Sequence, residues 1–280
     1  MEKIEFNLGY IKTSSWLDSM NAVTKLVMFI CWVATAIATF DIRISATKCL
    51  VGLAMLFTTK ISMSLYRPLL IGMVMFLMFT CGFIFVLEPM QGVWFIGSET
   101  MLISNPWFEH YHLTQETAWY LLLLFTRYFA TLPIALMFIT TTNPSEFACA
   151  LHRLGLSQEK AYSVALTLRY LPTIIDDFNN CRDAQACRGV DSSSDVPFRQ
   201  RIINLMRMIM PVLFNSLDKT DMISNALTLR GFGYKNTRSW YSKKPIKSID
   251  YLVMGLMFSL LGYTIYSRVV SETLIYYPFG

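Results

Sequence analysis

Long runs of apolar residues constrain this chain more than any other feature. A helix needs about 20 mostly apolar residues to cross the hydrocarbon core of a bilayer. Four stretches reach that length, the first and last only with their flanking residues: Leu26–Phe40, Leu69–Leu87, Ala118–Ile139 and Tyr251–Tyr266. A fifth stretch, Ile44–Thr58, is shorter and includes Lys48, whose amine can reach toward the interface. The sequence therefore predicts an all-α, polytopic membrane protein with about five transmembrane helices.

Composition supports this class and argues against several others. Charged residues make up 15% of the chain, against about 25% in ordinary soluble domains. The net charge of +5 is too small to indicate nucleic-acid binding. The six cysteines have no paired spacing and the chain has only three histidines, so we expect neither a disulfide framework nor a metal site.

The charges outside the apolar stretches predict an orientation. No lysine or arginine lies between Glu88 and Glu116, whereas residues 143–248 hold 15 of the chain's 24 basic residues. Loops rich in lysine and arginine stay on the cytoplasmic side of a membrane. We therefore predict four transmembrane helices in 1–142 with an external loop near 88–116, a cytoplasmic region at 143–248, and a last transmembrane helix with an external C-terminus in 249–280. The N-terminus is then expected in the cytoplasm.

The predicted cytoplasmic region is too long to be a loop without structure of its own. Its apolar residues recur at helical spacing, which predicts three amphipathic helices, a short one over Pro144–Leu154 and two long ones. Pro172 and Pro211 lie inside the long helices and should kink them. Helices of this kind can lie on the membrane surface, pack on each other or bind a partner.

Both long helices are predicted to end in arginine followed by glycine. The two ends read Cys187-Arg188-Gly189 and Leu229-Arg230-Gly231. A cation in the last turn is favoured by the helix dipole by about 0.3–1 kcal/mol, and glycine is a common C-cap, so one such end indicates only capping. Two in one region favour protein docking, because a guanidinium offers fixed donors to the carboxylates and carbonyls of a partner.

Taken in order, these residues resemble the T component of energy-coupling factor (ECF) transporters, a family that includes the cobalt-uptake permease subunit. That family ends its two coupling helices in Ala-Arg-Gly or a close variant, so Cys187 and Leu229 stand here in place of alanine. The resemblance runs from about Arg127 to Gly233 and is looser before that. Other segments that resemble family motifs are Asp18–Lys25, Thr140–Glu146, His152–Gly155, Leu168–Pro172 and Arg127 itself.

The resemblance implies an energy-coupling subunit of an importer in a prokaryotic plasma membrane, for uptake of a vitamin or a metal ion. Two ABC-type ATPase subunits would bind the two arginine-glycine ends, and one small substrate-binding membrane subunit would complete the complex. The chain itself would bind no cofactor, and ATP would be used by the partner subunits. The chain also has no Gly-x-x-x-x-Gly-Lys-Ser/Thr nucleotide motif.

Other residues have candidate supporting roles. Met206, Ile209 and Leu213 on the second long helix are candidates for contact with the substrate-binding subunit, although apolar residues at such positions are more often core. Arg169 is expected to pair locally with Asp176 or Asp177. Arg127 lies near the middle of a predicted span, where a charge needs a partner, and we interpret it as an interhelical contact, with a transport pathway as the alternative.

Two other classes of protein stay open as alternatives. The permease subunit of an ordinary ABC importer would need polar groups along its own spans, which here carry little beyond Arg127, Lys48 and hydroxyls. A membrane enzyme would need an acid–base pair or a metal cluster. The predicted spans contain no carboxylates, and the predicted topology puts His110 and His112 on the opposite side of the membrane from His152.

Overall fold

The computed structural model describes residues 16–59, 63–97, 101–103, 113–190, 197–234, 239–242, 244–270 and 278. Almost all of these residues are helical, as the apolar and amphipathic periodicities predict. The helices and the two short strands are α1 (Trp16–Ser19), α2 (Ala22–Ala38), α3 (Ile42–Thr58), α4 (Met63–Leu87), α5 (Gln91–Ile96), β1 (Met101–Ile103), β2 (Leu113–Thr114), α6 (Gln115–Phe129), α7 (Leu132–Thr141), α8 (Pro144–Arg153), α9 (Gln158–Ala186), α10 (Phe198–Leu229) and α11 (Ser248–Val270).

The described helices form two compact units. The membrane unit takes its residues from Tyr10–Thr142 and Lys244–Gly280 and contains α1 to α7, both strands and α11. The 143–243 unit contains α8, α9 and α10.

The apolar stretches of the sequence form the helices of the membrane unit. Among the described residues, three helical segments are long and apolar enough to cross a bilayer: Tyr66–Leu87, Gln115–Thr141 and Ser248–Val270. Ala22–Ala38 is apolar but shorter, and the fifth predicted stretch lies within α3. The prediction of an all-α polytopic membrane protein is confirmed, and the number of five crossings stays a prediction.

The core of the membrane unit lies where α2 packs against α7 and α11. Its fully buried members are mostly large and apolar: Leu17, Met20, Met28, Cys31, Trp32, Ile134, Met137 and Met257. In contrast, only 6% of the most apolar 18-residue stretch of α4 is buried. An apolar helix with this much exposed surface is suited to lipid, which does not penalise it as water does.

The predicted span over Ala118–Ile139 is formed by two consecutive helices, α6 and α7. α6 ends at Phe129 and α7 begins at Leu132, because Pro133 lacks the N–H that would continue the backbone hydrogen-bond ladder. The carbonyl oxygen of Ala130 at the break accepts a hydrogen bond from Trp32 Nε1 at 3.1 Å. A neighbouring helix thus satisfies a backbone group at the break, as hydrocarbon surroundings require.

The Lys48 amine does not extend to the protein surface as expected but is buried against α2. Its side chain is 4% exposed, and Nζ donates hydrogen bonds to the Trp32 carbonyl at 2.9 Å and to Thr35 Oγ1 at 2.8 Å. The Trp32 ring centroid lies 5.3 Å from the same nitrogen. These partners satisfy the buried ammonium, and through them Lys48 joins α3 to α2.

The starts of α2 and α11 are held together by reciprocal capping. Asn21, the N-cap of α2, accepts from the Val23 N–H at 3.0 Å and donates from Nδ2 to the Lys244 carbonyl at 2.8 Å. Asp250, in the first turn of α11, is 1% exposed. Its carboxylate accepts from the backbone N–H of Asn21 at 3.2 Å and of Lys247 at 2.8 Å. One buried carboxylate therefore satisfies backbone donors at the starts of both helices.

Two motifs that resemble the T-component family meet at the end of α7. Lys25 is fully buried in α2, and its Nζ donates to the carbonyl of Thr141 at 2.7 Å. Thr141 is the last residue of α7, where carbonyls have no partner inside the helix. The lysine of the Asp18–Lys25 segment thus caps the threonine-rich end of the span.

The predicted external loop near 88–116 contains structure that the sequence reasoning did not anticipate. Gln91–Ile96 forms the short helix α5, and β1 pairs antiparallel with β2. Residues 98–100 and 104–112 of this loop, including His110 and His112, lie outside the described part of the chain.

Gly92 in α5 lies directly on the backbone of α6. A Cβ atom at this position would overlap the Cα and N atoms of Thr117. We expect Gly92→Ala to lower the free energy of unfolding by about 1–3 kcal/mol, because backbone cannot move aside as a side chain can. Thermal unfolding in detergent measures this effect.

Gly82→Ala is the matched control for that substitution. A Cβ at Gly82, inside α4, meets no atom within 4 Å. Alanine is favoured over glycine inside a helix by roughly 0.5–1 kcal/mol, so the control should melt at the same or a slightly higher temperature. Equal melting temperatures for the two variants would contradict the predicted overlap at Gly92.

Candidate docking site

The 143–243 unit contains three helices, of which α8 has a side-chain hydrogen bond at its N-cap. α8 begins after Asn143, whose Oδ1 accepts from the Ser145 N–H at 3.0 Å, and Pro144 occupies the first turn. α9 and α10 continue through Pro172 and Pro211. The three predicted amphipathic helices are therefore present, and the kinks expected at the two prolines stay predictions.

Both arginine-glycine ends adopt the same capping geometry. At the end of α9, the N–H of Gly189 donates to Ala186 O at 3.0 Å and the N–H of Val190 donates to Gln185 O at 3.0 Å. With φ of +78° at Gly189, this is a Schellman motif.

The end of α10 repeats this arrangement. Gly231 donates to Thr228 O and Phe232 donates to Leu227 O, each at 2.9 Å, with φ of +66° at Gly231. In both motifs the arginine is the residue immediately before the left-handed glycine. The two tips therefore have the same backbone shape.

A third helix end shows that the cap alone does not define the candidate site. α8 also ends in a Schellman motif, with Gly155 at φ of +110° and Leu156 donating to Leu151 O at 3.1 Å. The residue before that glycine is Leu154, not arginine. The distinguishing feature of the other two tips is thus an arginine side chain at the turn.

The tip side chains are exposed. Arg188, Cys187 and Arg230 are all exposed, and Leu229 is 89% exposed. An apolar side chain so fully exposed beside a cation suits a contact surface for another protein. The side chains that replace the family's alanine therefore lie at the surface, where their size is not limited by packing.

Helices α9 and α10 pack antiparallel, which separates the two tips. Near the start of α9, the ring of Tyr162 lies 4.5 Å from that of Phe232, which directly follows the second tip. Farther along, Asp177 forms an ion pair with Lys219. The second tip therefore lies beside the start of α9, whereas Arg188 lies at its end, roughly 40 Å away at 1.5 Å per residue.

Arg169 lines the same cavity as Arg230 and forms no ion pair with the predicted acidic partners among the described residues. Both arginines line a cavity of about 420 Å³ that Tyr162, Phe232 and Trp240 also line. The ion-pair partner of Asp177 is Lys219, and the described residues give Arg169 no ion pair with Asp176 or Asp177. The expected pairing with Asp177 is therefore wrong, because Lys219 on the neighbouring helix supplies its cation, and the described residues show no ion pair of Arg169 with Asp176.

Helix α10 exposes an unusual amount of apolar surface. Met206 is 52% and Leu213 50% exposed, and Ile209 is half-buried, whereas Met208 and Val212 are buried against the unit. Exposed apolar patches of this extent mark interaction sites. The other large apolar side chains exposed on this helix are Phe198, Ile202, Ile203, Leu205, Met210, Phe214, Leu217, Met222 and Leu229.

Arg127 and His152 lie away from the two tips, and each contacts a backbone carbonyl. Arg127 belongs to the membrane unit, where its Nη2 donates to the Ile37 carbonyl at 2.7 Å, an interhelical contact. His152 Nδ1 lies 2.9 Å from Leu156 O. Within the described ranges no group of three or more His, Cys, Asp or Glu side chains is placed to hold a metal ion.

Comparison with known proteins gives a consistent result. The cobalt transport protein family CbiQ matches residues 13–240. The chain is 24% identical over 264 residues to the energy-coupling factor transporter transmembrane protein EcfT of Exiguobacterium sibiricum, covering 90% of this chain and 95% of that protein. It is 21% identical to EcfT of Streptococcus thermophilus, over 89% of this chain and 95% of the relative.

A shorter match is to a protein with a different description. A putative ABC transporter ATP-binding protein of Bifidobacterium longum is 33% identical over 112 residues, which is 37% of this chain and 14% of that protein. The family match covers most of the described helices of both units and includes both arginine-glycine tips. The chain therefore belongs to the CbiQ family, the family of the transmembrane T components of energy-coupling factor transporters.

Proposed function

We propose that this chain is the energy-coupling subunit of an ECF-type ABC importer for a vitamin or a metal ion. It would transmit ATP-driven motion of two ATPase subunits to a separate substrate-binding membrane subunit. The observation that carries this proposal is the pair of exposed arginine tips with identical caps, separated by the length of an antiparallel helix pair. Tips so far apart fit two separate partner grooves better than one.

The ATPase subunits are proposed to bind Arg188 and Arg230. A guanidinium held at a rigid turn loses little freedom on binding and can make bidentate hydrogen bonds to a carboxylate. Gly189 and Gly231 let the chain turn away, so that a partner groove can close around each tip. The similarity of part of the chain to a protein named as an ATP-binding component supports an ATPase partner.

Helices α9 and α10 are proposed to move together when the ATPases move. Asp177 and Lys219 join them by an ion pair, and Cys181 Sγ donates to Met208 O at 3.3 Å. At 1.5 Å per residue these helices are on the order of 45 Å long. A displacement at either tip would therefore be felt along the whole pair, and Pro172 and Pro211 are natural points of bending.

The exposed apolar surface of α10 is the proposed contact for the substrate-binding subunit. Met206, Ile209 and Leu213 would contribute to it, since methionine adapts to a surface that shifts or is exchanged. The same surface can contact the bilayer when the subunit is absent. Substrate recognition would then belong to the other subunit.

The orientation follows from the loop charges, with the N-terminus and residues 143–248 proposed to lie in the cytoplasm of a prokaryotic cell. With this orientation, both tips would be accessible to ATPases in the cytoplasm. The chain itself is proposed to hold no nucleotide, cofactor or metal, and to bind no nucleic acid. ATP would be hydrolysed only by the partner subunits.

Reconstitution in liposomes tests this function. The purified chain would be incorporated alone, and in parallel with its ATPases and a substrate-binding membrane subunit, and uptake of labelled cobalt(II) and labelled vitamins would be measured. We expect no uptake and no ATP hydrolysis by the chain alone, and ATP-dependent uptake of one substrate by the full complex. Uptake or hydrolysis by the chain alone would instead support a permease with its own pathway or an enzyme.

A further inference from the structure

Two arginines of the membrane unit converge on one aromatic ring. Arg127, in the last turn of α6, has its Cζ 4.5 Å from the Phe40 ring centroid. Arg268, in the last turn of α11, has its Cζ 5.9 Å from the same centroid. Two guanidiniums from distant parts of the chain therefore lie close together around the turn between α2 and α3.

Both guanidiniums are bound to the end of α2 by a single hydrogen bond each. Arg127 Nη2 donates to Ile37 O at 2.7 Å and Arg268 Nη1 donates to Ala38 O at 3.5 Å. A guanidinium has five N–H donors, so several on each arginine are not used by the described residues. No described carboxylate pairs with either arginine.

Lys48 adds to the positive charge of this region. Its ammonium is bound to Trp32 O and Thr35 Oγ1 on the same helix, α2. The negative end of the α2 dipole offsets only part of three positive charges. The nearest carboxylate in sequence, Asp41, caps the start of α3 by accepting from the Arg43 N–H and forms no ion pair with either arginine, so an anion beside the two guanidiniums would be favoured.

The length of α2 gives the depth of the cluster in a bilayer. The opposite end of α2 is the capped start at Asn21, which lies beside Asp250. α2 has 17 residues, or about 25 Å at 1.5 Å per residue, which is close to the roughly 30 Å thickness of the hydrocarbon core. With the start of α2 at one interface, the arginines lie toward the opposite leaflet, where Arg268 occupies the last turn of the span Ser248–Val270 and Arg127 the middle of the helical segment Gln115–Thr141.

The surroundings of the cluster are those of a lipid-facing interface. Tyr128, whose ring centroid is 5.9 Å from Arg127 Cζ, is 47% exposed. Tyr266, in the last turns of α11, is 66% exposed, and Ile37 is 64% exposed. Exposed tyrosines at the ends of apolar helices are typical of the level where headgroups meet acyl chains.

We infer that Arg127 and Arg268 form a binding site for the phosphate of an anionic phospholipid headgroup. The phosphate would accept hydrogen bonds from both guanidiniums, and the acyl chains would lie along the exposed apolar surfaces of the neighbouring helices. Both guanidiniums contact the Phe40 ring, which helps to orient them. This site is independent of the ATPases and of the transported substrate.

Native mass spectrometry of the full-length purified chain tests the site. The chain would be exchanged into detergent with phosphatidylglycerol or with phosphatidylcholine, and bound lipid counted. We expect retained phosphatidylglycerol to fall about tenfold in Arg127→Gln/Arg268→Gln, as loss of charge-assisted hydrogen bonds predicts. Arg268→Gln alone, which removes an exposed side chain with one long hydrogen bond, should give a smaller loss in a chain that remains folded.

Arg67→Gln is the matched control, because Arg67 is an exposed arginine of the membrane unit in the first turns of α4. It should retain phosphatidylglycerol like the unchanged chain. The inference would be overturned if both cluster variants retained as much phosphatidylglycerol as the unchanged chain. It would also be overturned if the unchanged chain retained phosphatidylcholine as well as it retains phosphatidylglycerol. A third arm adds inorganic phosphate: displacement of the lipid by millimolar phosphate alone would show a site for free anions and would also overturn it.

Discussion

Replacing Arg188 and Arg230 together by alanine is expected to reduce both ATPase capture and substrate uptake by more than about 100-fold. A hydrogen bond from a charged group contributes about 1.5–3 kcal/mol, so two tips contribute at least roughly 3 kcal/mol, and each 1.4 kcal/mol is a factor of ten. Pull-down of the ATPases by the tagged chain measures the first effect, and uptake in cells that carry the complete transporter measures the second.

Each single substitution should give an intermediate loss, because the two tips bind as linked sites. Once one tip is bound, the second binds at a high effective concentration. Removing either arginine loses one of the two contacts, about 1.5 kcal/mol or tenfold, and leaves the other tip bound. We expect Arg188→Ala and Arg230→Ala to be less severe than the double variant and similar to each other, since their caps have the same geometry.

Arg199→Ala/Arg201→Ala is the control for loss of two positive charges from the same unit. Both arginines are exposed in the first turn of α10 and lie outside the two Schellman turns that hold the tip arginines. ATPase capture should be unchanged in this variant. Normal capture and uptake by the Arg188/Arg230 double variant would contradict the docking role.

Capping and docking are separable at the first tip. Gly189→Ala keeps the arginine but places a side chain at φ of +78°, which costs on the order of 1 kcal/mol in a left-handed conformation. Arg188→Ala keeps the cap and removes the charge. If capping were the whole role of this end, the glycine substitution would impair ATPase capture more than the arginine substitution.

Periodicity and composition were enough to predict the long helices and the class of the protein, although not the short helix α5 or the break between α6 and α7. Length and uniform apolarity are properties of a single segment, so α4 and α11 can be recognised without any knowledge of their neighbours. The three helices of the 143–243 unit have start and stop signals within their own sequence, such as Asn143 and Gly155. Local signals of this kind are reliable because they do not depend on packing.

The contacts between helices could not be predicted from the same patterns. The sequence indicates that the Lys48 amine can reach the membrane interface, whereas in the structure it binds Trp32 and Thr35 of another helix. Asp177 likewise pairs with Lys219, 42 residues later, and not with the nearer Arg169. In both cases the sequence shows a charge that needs a partner and leaves the choice of partner to tertiary packing.

The candidate site was identified from its arginines, but its surroundings were not. Phe232 and Trp240 were not singled out, although they line the cavity shared by Arg169 and Arg230. The available signal was the position of Phe232 directly after the arginine-glycine pair, where a Schellman motif often places an apolar contact. An aromatic residue at that position indicates that the tip packs back on the unit.

Asp250→Ala is expected to be the most destabilising single substitution in the membrane unit. The carboxylate is 1% exposed and accepts from the backbone N–H groups of Asn21 and Lys247. Removing it leaves the buried N–H of Asn21 and the part-buried N–H of Lys247 without their carboxylate partner at the starts of α2 and α11. A buried unsatisfied donor costs about 1–3 kcal/mol, and the part-buried one less, so we expect a loss of about 2–3 kcal/mol in the free energy of unfolding.

Asp250→Asn and Asp221→Ala separate this capping role from a general effect of charge. Asparagine keeps one acceptor oxygen but presents an NH₂ group to the other backbone donor, so it should be intermediate. Asp221 is an exposed carboxylate on α10, and its removal should leave the melting temperature in detergent within about 1 °C of the original, as for most surface substitutions. An Asp250→Ala variant that melts like Asp221→Ala would show that the starts of α2 and α11 are held together by apolar packing alone. The same end of α2 carries Lys25, which caps α7 at Thr141. Loosening the start of α2 by Asp250→Ala should therefore reduce uptake even with both arginine tips intact.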